Sequence, residues 1–426
     1  MVVTGKLDQE RFREGDMHGD RRGRVRAARR LTTALLGITL VGAALAGCTA
    51  ANGATTSANT HPQPAHGQAQ PPAPAVKKPA TVSTQPAAGA QSASPGGIIA
   101  ASVANGTISA VTLTNAAGTV VTGQLSADKR TWTATEELGY GKSYTWSGSA
   151  VGQDGKTVPI AGSFATVAPA KQISGQLNVG DGQTYGIAIP IALTFSAPVT
   201  DETAVQNALT VTTSTPTTGT WAWLNDKTVH WRPESYYQPG TQVSVKANLY
   251  GVAFAPGVYG KADVSADFTI GRSQVVRANT QTHRMIVLTN GVQTADFPAS
   301  FGLDSDPGRV THSGIHVVMA RSQTVFMTNP KYHYFNLEVH WAVRISNNGE
   351  FIHAAPWSVA QQGKVNVSHG CVNLSNTNAI AYYNSVLVGD PVEITGTTIQ
   401  LGASDGDYYD WTFTWQQWQA KSALTA

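Results

Sequence analysis

At 426 residues the chain is long enough for two to four ordinary domains, and with only 13% charged residues against abundant Gly, Thr, Ser and Ala it suits short strands and turns rather than long solvated helices. The formal charge of +3 is local: nine of the 29 Lys/Arg and five of the 26 Asp/Glu fall in residues 1–47, leaving 20 basic against 21 acidic residues downstream. No basic stripe remains to attract phosphate, so nucleic acid is not an expected partner.

Arg21, Arg22, Arg24, Arg26, Arg29 and Arg30 precede an apolar run over residues 31–46. That run is too short to cross a hydrocarbon core of roughly 30 Å and fits the apolar region of a secretory signal. It ends in Leu45-Ala46-Gly47-Cys48, which resembles the lipobox of bacterial lipoproteins, where the peptidase cuts before the cysteine and the thiol receives diacylglycerol. The alternative is an ordinary signal cleavage that leaves a free thiol. The polar, acidic stretch before Met17 leaves Met1 and Met17 as alternative starts. Residues 1–47 are thus read as a signal peptide, with Cys48 the lipidation site. A disulfide between Cys48 and Cys371 is open to an exported protein, but each cysteine sits in its own reactive context.

Residues 48–96 are rich in Pro, Ala, Gln, Thr and Ser, with only Lys77 and Lys78 charged. Without an apolar period they cannot bury a core, and a disordered tether spanning on the order of 40 Å is expected. Two β modules follow, at residues 97–169 and 170–271. In both, apolar and polar residues alternate between Gly, Asn and Asp turn signals, the pattern of a β-sandwich. Leu125, Trp132, Gly141 and Tyr144 recur 99 positions later as Leu224, Trp231, Gly240 and Val243, which points to duplication. Neither module shows a titratable cluster; a stiff spacer is preferred to a wall-polymer binder.

Residues 272–397 change character. Strands are expected at Arg284-Met285-Ile286-Val287-Leu288, returning through Thr289-Asn290-Gly291, then near Gly314–Met319, Ala342–Ile345 and Pro391–Ile394, with a short helix from about Asn376 to Asn384. His312 and His316 have a spacing that pairs metal ligands on a helix. Gly314 and the β-branched residues after it predict a strand instead, where residues four apart lie roughly 13 Å from each other, so no metal site is assigned.

The decisive stretches are Phe351-Ile352-His353-Ala354-Ala355-Pro356-Trp357 and Val367-Ser368-His369-Gly370-Cys371-Val372-Asn373-Leu374. A cysteine of ordinary pKa, about 8.5, is mostly protonated at neutral pH; a nearby imidazole can take its proton and return it to a leaving amine. Gly370 permits a positive φ, and amides at Gly370 and Cys371 are candidate donors to a developing oxyanion. A thioester so formed is open to attack by an amine.

The segment from His353 to Ser368-His369-Gly370-Cys371-Val372-Asn373, with histidine and cysteine eighteen apart, resembles the signature of the YkuD-type L,D-transpeptidases. With the leader, the two modules and His353-Ala354-Ala355-Pro356-Trp357-Ser358-Val359, the chain is most similar to the mycobacterial and actinobacterial lipoprotein subgroup, over about residues 97–426. The resemblance implies an all-β fold with minor helix: two immunoglobulin-like sandwiches, a β-rich catalytic domain and a Trp-rich tail at residues 398–426. It implies a cysteine acyltransferase without a cofactor, acting on peptidoglycan stem peptides at the outer face of the cell membrane. Cys371 would attack the diaminopimelate carbonyl of a tetrapeptide, releasing D-Ala, and the side-chain amine of a neighbouring diaminopimelate would take the acyl group.

In that mapping His353 is the base, the backbone carbonyl of Ala354 orients it, and the Gly370 N–H serves the oxyanion. Ser368, His369 and Asn373 shape the donor site, Trp357 and Met327 line its mouth, and carbapenem β-lactams acylate Cys371. Many relatives carry an oxyanion tyrosine six residues before the position of Trp341. Here that position is Phe335, and Tyr334 is kept as the candidate. An L,D-carboxypeptidase, a protein-to-wall ligase and a non-catalytic wall-binding lipoprotein remain as alternatives. The tail tryptophans 411, 415 and 418 fit one helical face and are expected to pack on the catalytic domain.

Overall fold

The computed structural model describes residues 2–4, 77–406 and 408–424. The leader apart from residues 2–4, Cys48 and the tether up to residue 76 lie outside the described residues. The first module begins earlier than the composition predicts. Thr81–Gln85, assigned above to the tether, is a strand paired antiparallel with Ala100–Ala104, Val82 opposite Val103. It reaches the sheet because Val82 adds an apolar side chain to one face of an otherwise polar segment. Thr131–Ala134 and Gly123–Leu125 complete that sheet; Gly106–Asn115, Ser143–Gly152 and Thr157–Ala165 form the other. Val103, Leu113, Trp132, Trp146 and Phe164 fill the space between.

The second module repeats the plan. Gly175–Leu177, Ile191–Phe195, Thr228–Pro233 and Gly219–Asn225 form one sheet, and Thr184–Tyr185, Val264–Ile270, Gln242–Ala247 and Leu209–Thr213 the other. Three of the four spaced sequence matches occupy equivalent places; the leucines do not, since Leu125 pairs with Trp132 whereas Trp231 pairs with Trp221 and Leu224 falls in a bulge. Trp132 covers Gly123, which pairs with Ala134; Trp231 covers Gly219, which pairs with Pro233. A Cβ at either glycine would meet the indole at 2.0 Å, so the tryptophan dictates the glycine. Gly141 and Gly240 have φ of +61° and +79° and open strands in which Tyr144 pairs Phe164 and Val243 pairs Phe268.

The catalytic segment contains two sheets. In the first, β1 (Gln274–Asn279) lies between β2 (Arg284–Thr289) and β9 (Pro391–Thr395), with β3 (Val292–Pro298) and β4 (Gly314–Val317) at the edges. In the second, β5 (Ala320–Asn329), β6 (Tyr334–Arg344), β7 (Phe351–Ala354) and β8 (Val372–Leu374) follow in order, and Val2–Thr4 adds an outer strand on β5. The turn between β2 and β3 has Asn290 and Gly291 at φ of +51° and +82°, as a two-residue hairpin requires. Helix α1 (Asn376–Ser385) starts where expected because the Ser375 side chain accepts the Asn378 N–H at 3.2 Å. Val276, Met285, Val392 and Ile394 of the first sheet share a core with Ile352, Ala354, Val372 and Leu374 of the second and Tyr382 of α1.

The tail stays on the catalytic segment through Leu401 and Asp405, which bond to Ser313 and Asn348, but its tryptophans turn to the second module and do not lie on one helix. A 3-10 turn, Asp410–Thr412, precedes α2 (Trp415–Gln419), which Thr414 caps. The three rings still converge: the Arg232 guanidinium carbon sits 4.7, 5.4 and 4.9 Å from the centroids of Trp411, Trp415 and Trp418. Trp418 is fully buried and donates its indole N–H to Thr220 O at 3.1 Å. His230 and Asp410, both buried, pair at 2.8 Å. Further ties join module and catalytic segment: Arg272 grips Asp390 with two bonds of 2.8 Å, and Tyr236 donates to Glu393 at 3.2 Å.

Candidate active site

The parallel register of β7 and β8 places Ile352 beside Val372 and His353 beside Asn373. Strand alternation sends Ile352, Ala354, Val372 and Leu374 into the core. Phe351, His353 and Asn373 project from the opposite face, and Cys371, immediately before β8, projects with them. The imidazole and the sulfur therefore leave adjacent strands toward the same side.

His353 Nδ1 lies 2.8 Å from Ala354 O. A carbonyl only accepts, so Nδ1 carries the hydrogen and Nε2 keeps a lone pair for a proton from sulfur. Burial lowers the imidazole to a pKa of about 4, partly offset by that hydrogen bond. Cys371 is free and only 7% exposed, packed with Val325, Met327, Val339, Ala342 and Phe351. Burial raises its thiol to about 12; the Phe351 N–H, directed at the sulfur, opposes the rise, and the nearby Glu350 charge adds to it. The S–H points to Gly349 O at 3.7 Å. Burial thus leaves both the thiol and the imidazole neutral at rest, and proton transfer must accompany attack on a substrate carbonyl.

The turn carrying Cys371 is held from several sides. Ser368 Oγ donates to Cys371 O at 2.6 Å and accepts the Gly370 N–H at 3.2 Å. The Gly370 amide, expected to face an oxyanion, is therefore already engaged, because Ser368 folds back over the turn. Gly370 has φ of +112°, as its residue type allows. Thr311 donates to Gly370 O at 2.8 Å, and Arg309 Nε to Ser368 O at 3.1 Å. Asn373 is buried and its amide donates to Ser358 Oγ at 3.1 Å, so it braces the floor of the site instead of reaching into it.

Of the expected mouth residues, Trp357 is 56% exposed with its ring 6.1 Å from that of His353. Met327 is buried within the cysteine's apolar cluster and does not line an open rim. His369 is exposed, and its ring contacts Tyr332 and Tyr334 at 4.9 and 5.3 Å. Tyr334 packs against the Cys371 cluster while Phe335 is 65% exposed, so Tyr334 is the tyrosine turned inward. Burial, and next the charge of Cys371, raise its hydroxyl pKa. Sequence reasoning missed Gly349, Glu350 and the Phe351 amide; the first two immediately precede the β7 motif and Phe351 opens it, but a backbone carbonyl and amide leave no side-chain signature. Two surface depressions of about 450 and 540 Å³ lie on the second module and on the edge of β4 and β9, and neither includes Cys371 or His353.

A β-rich segment that turns a cysteine and a histidine to one face has the parts a cysteine acyltransferase needs. Residues 273–394 match the model of the L,D-transpeptidase catalytic domain, and residues 90–253 that of a bacterial Ig domain. The chain is 50% identical over 344 residues to L,D-transpeptidase 5 of Mycobacterium tuberculosis, covering 80% of this chain and 76% of that protein. L,D-transpeptidase 2 of the same species is 37% identical over 333 residues, covering 76% and 80%. A solved LD transpeptidase in complex with imipenem is 34% identical, with TM-score 0.45, covering 53% of this chain and all (100%) of that one. The chain belongs to the L,D-transpeptidases and is an enzyme of that activity, acting on peptidoglycan stem peptides.

Proposed function

We propose that Cys371 is the nucleophile and His353 its general base in transfer from a tetrapeptide donor stem. The observation that carries this reading is the shared face of β7 and β8, with His353 Nε2 left unprotonated by the Nδ1 bond to Ala354 O. The sulfur attacks the diaminopimelate carbonyl as its proton passes to His353. The tetrahedral intermediate collapses, the C–N bond to D-Ala breaks, and His353 protonates the departing amine. The side-chain amine of an acceptor diaminopimelate then attacks the thioester, giving up a proton to His353, and the thiol re-forms as the C–S bond breaks. The Tyr334 hydroxyl is the proposed side-chain donor to the oxyanion, since the Gly370 amide is engaged. The apolar cover over Cys371 disfavours free water as acceptor and so favours transfer over hydrolysis. Full-length enzyme with tetrapeptide stems is expected to yield D-Ala and a cross-linked dimer by mass spectrometry. Cys371→Ala is expected to yield neither, and dimer formed by that variant would remove Cys371 from the mechanism. A carbapenem is expected to add its mass at Cys371.

The leader supports export and lipid anchoring at Cys48, with the catalytic segment working at the outer face of the cell membrane. Cys48→Ser is expected to move the protein from the membrane fraction to the soluble fraction; unchanged membrane association would refute the anchor.

A further inference from the structure

Behind the nucleophile lies a buried acid–base group that the transfer steps leave unused. Glu350 is 4% exposed, and a Cβ on Gly370 would sit 3.6 Å from Glu350 Cγ, so the side-chain stem lies against the turn that carries Cys371. Both backbone neighbours of Glu350 address the sulfur: Gly349 O accepts the S–H and the Phe351 N–H is directed at it. Oε1 of Glu350 accepts the His312 N–H at 2.9 Å. Oε2 has no hydrogen-bond partner and faces His316 Nδ1 at 3.7 Å.

His316, on β4, is fully buried. Its Nδ1 is 3.3 Å from Ile345 O and its Nε2 is 2.9 Å from His312 O. Carbonyl oxygens only accept, and a neutral imidazole has one N–H, so both bonds are made only when both nitrogens carry hydrogen. Two carbonyl oxygens and the facing Oε2 thus surround the ring, with no donor directed at either nitrogen. The strand argument that kept His312 and His316 apart therefore does not hold here. β4 begins at Gly314, His312 lies in the preceding loop, and both residues meet Glu350.

We propose that His316 and Glu350 form a buried imidazolium–carboxylate pair that positions segment 349–351 against the Cys371 sulfur and cancels a negative charge that would otherwise oppose the thiolate. They are positioning residues: neither is placed to touch substrate. The other titratable or charged groups around Glu350 are Cys371 and His353 on the reactive face, Arg344 stacked 5.4 Å from the Phe351 ring, and His312, whose Nδ1 lies 2.9 Å from Asp405 Oδ1 but off the line of a hydrogen bond. Breaking a buried pair by removing one partner leaves an uncompensated charge, and here that charge would sit beside the thiol.

The experiment is the rate of Cys371 alkylation by iodoacetamide across the neutral-to-alkaline range in the full-length chain, with kcat and KM on tetrapeptide stems. Glu350→Gln keeps the acceptor for the His312 N–H and removes the anion, so the alkylation profile is expected to move to lower pH. His316→Gln leaves Glu350 uncancelled, so the profile is expected to move to higher pH, with kcat reduced several-fold and KM unchanged. The double variant is expected to return toward the parent profile. Shifts of the two single variants in the same direction, or a double variant no nearer the parent than either single one, would overturn the proposal. Should His316→Gln fail to fold, Glu350→Gln decides alone, and an absent or upward shift overturns it.

Discussion

His353, the proposed base, shows how burial sets a side chain's pH response. Its pKa of about 4 keeps the ring neutral through the neutral range, so catalysis requiring a free base is expected to lose rate only in clearly acidic solution. The stability consequence has a definite sign. From the ordinary 6.5 down to about 4 the unfolded chain binds a proton that the folded chain does not, so stability falls as pH drops through that window. The full effect is about 3 kcal/mol from the size of the shift. A His353→Gln variant lacks this term. Thermal unfolding is expected to show the parent losing more stability than the variant between pH 6.5 and 4, and parallel losses would contradict it. The roles of Ser368 and Asn373 were legible only as residue types near the thiol. Their hydroxyl and amide are spent on Cys371 O, the Gly370 N–H and Ser358, an allocation that depends on the closed turn.

Among the elements, local chemistry and tertiary context divide cleanly. Helix α1 was legible because Ser375 offers a capping oxygen just before an Ala- and Tyr-bearing run. The hairpin at Asn290-Gly291 was legible because two left-handed residues demand those types. Thr81–Gln85 was not, since a polar strand becomes a strand only when a sheet edge pairs it. The tail was half legible. The indoles are packed, but around Arg232, whose buried guanidinium could not be placed among them from spacing alone. Trp418→Ala would open a cavity and orphan the Thr220 carbonyl, and a destabilisation of about 3–5 kcal/mol is expected. Denaturant unfolding should show the loss while iodoacetamide still reaches Cys371 at the parent rate under native conditions. A stability change near zero would mean the strap carries no load.

For the whole molecule, the modules and the catalytic segment are fastened to one another. Tyr140 donates to Gly260 O at 2.6 Å and accepts the Gly251 N–H at 2.8 Å, joining first module to second. The Arg272–Asp390 pair and the Trp411 indole bond to Ala188 O add ties at the other junction and the tail. Such fixed junctions fit modules that hold the catalytic segment at a set distance, the spacer role preferred from their lack of titratable clusters. The sequence nevertheless contained a buried hydrogen-bonded contact that neither module shows alone, since His230 and Asp410 meet only when the tail returns.

By itself the amino-acid order determined the repeated sandwich plan, the candidate histidine and cysteine and the family to which the chain belongs, because alternation, turn chemistry and a short motif are local properties. Only the tertiary structure decided which amides and hydroxyls are already engaged, which tyrosine faces the sulfur, and that Glu350 and His316 lie behind it. Those are matters of burial and of hydrogen-bond partners supplied by segments distant along the chain, and no local pattern encodes them.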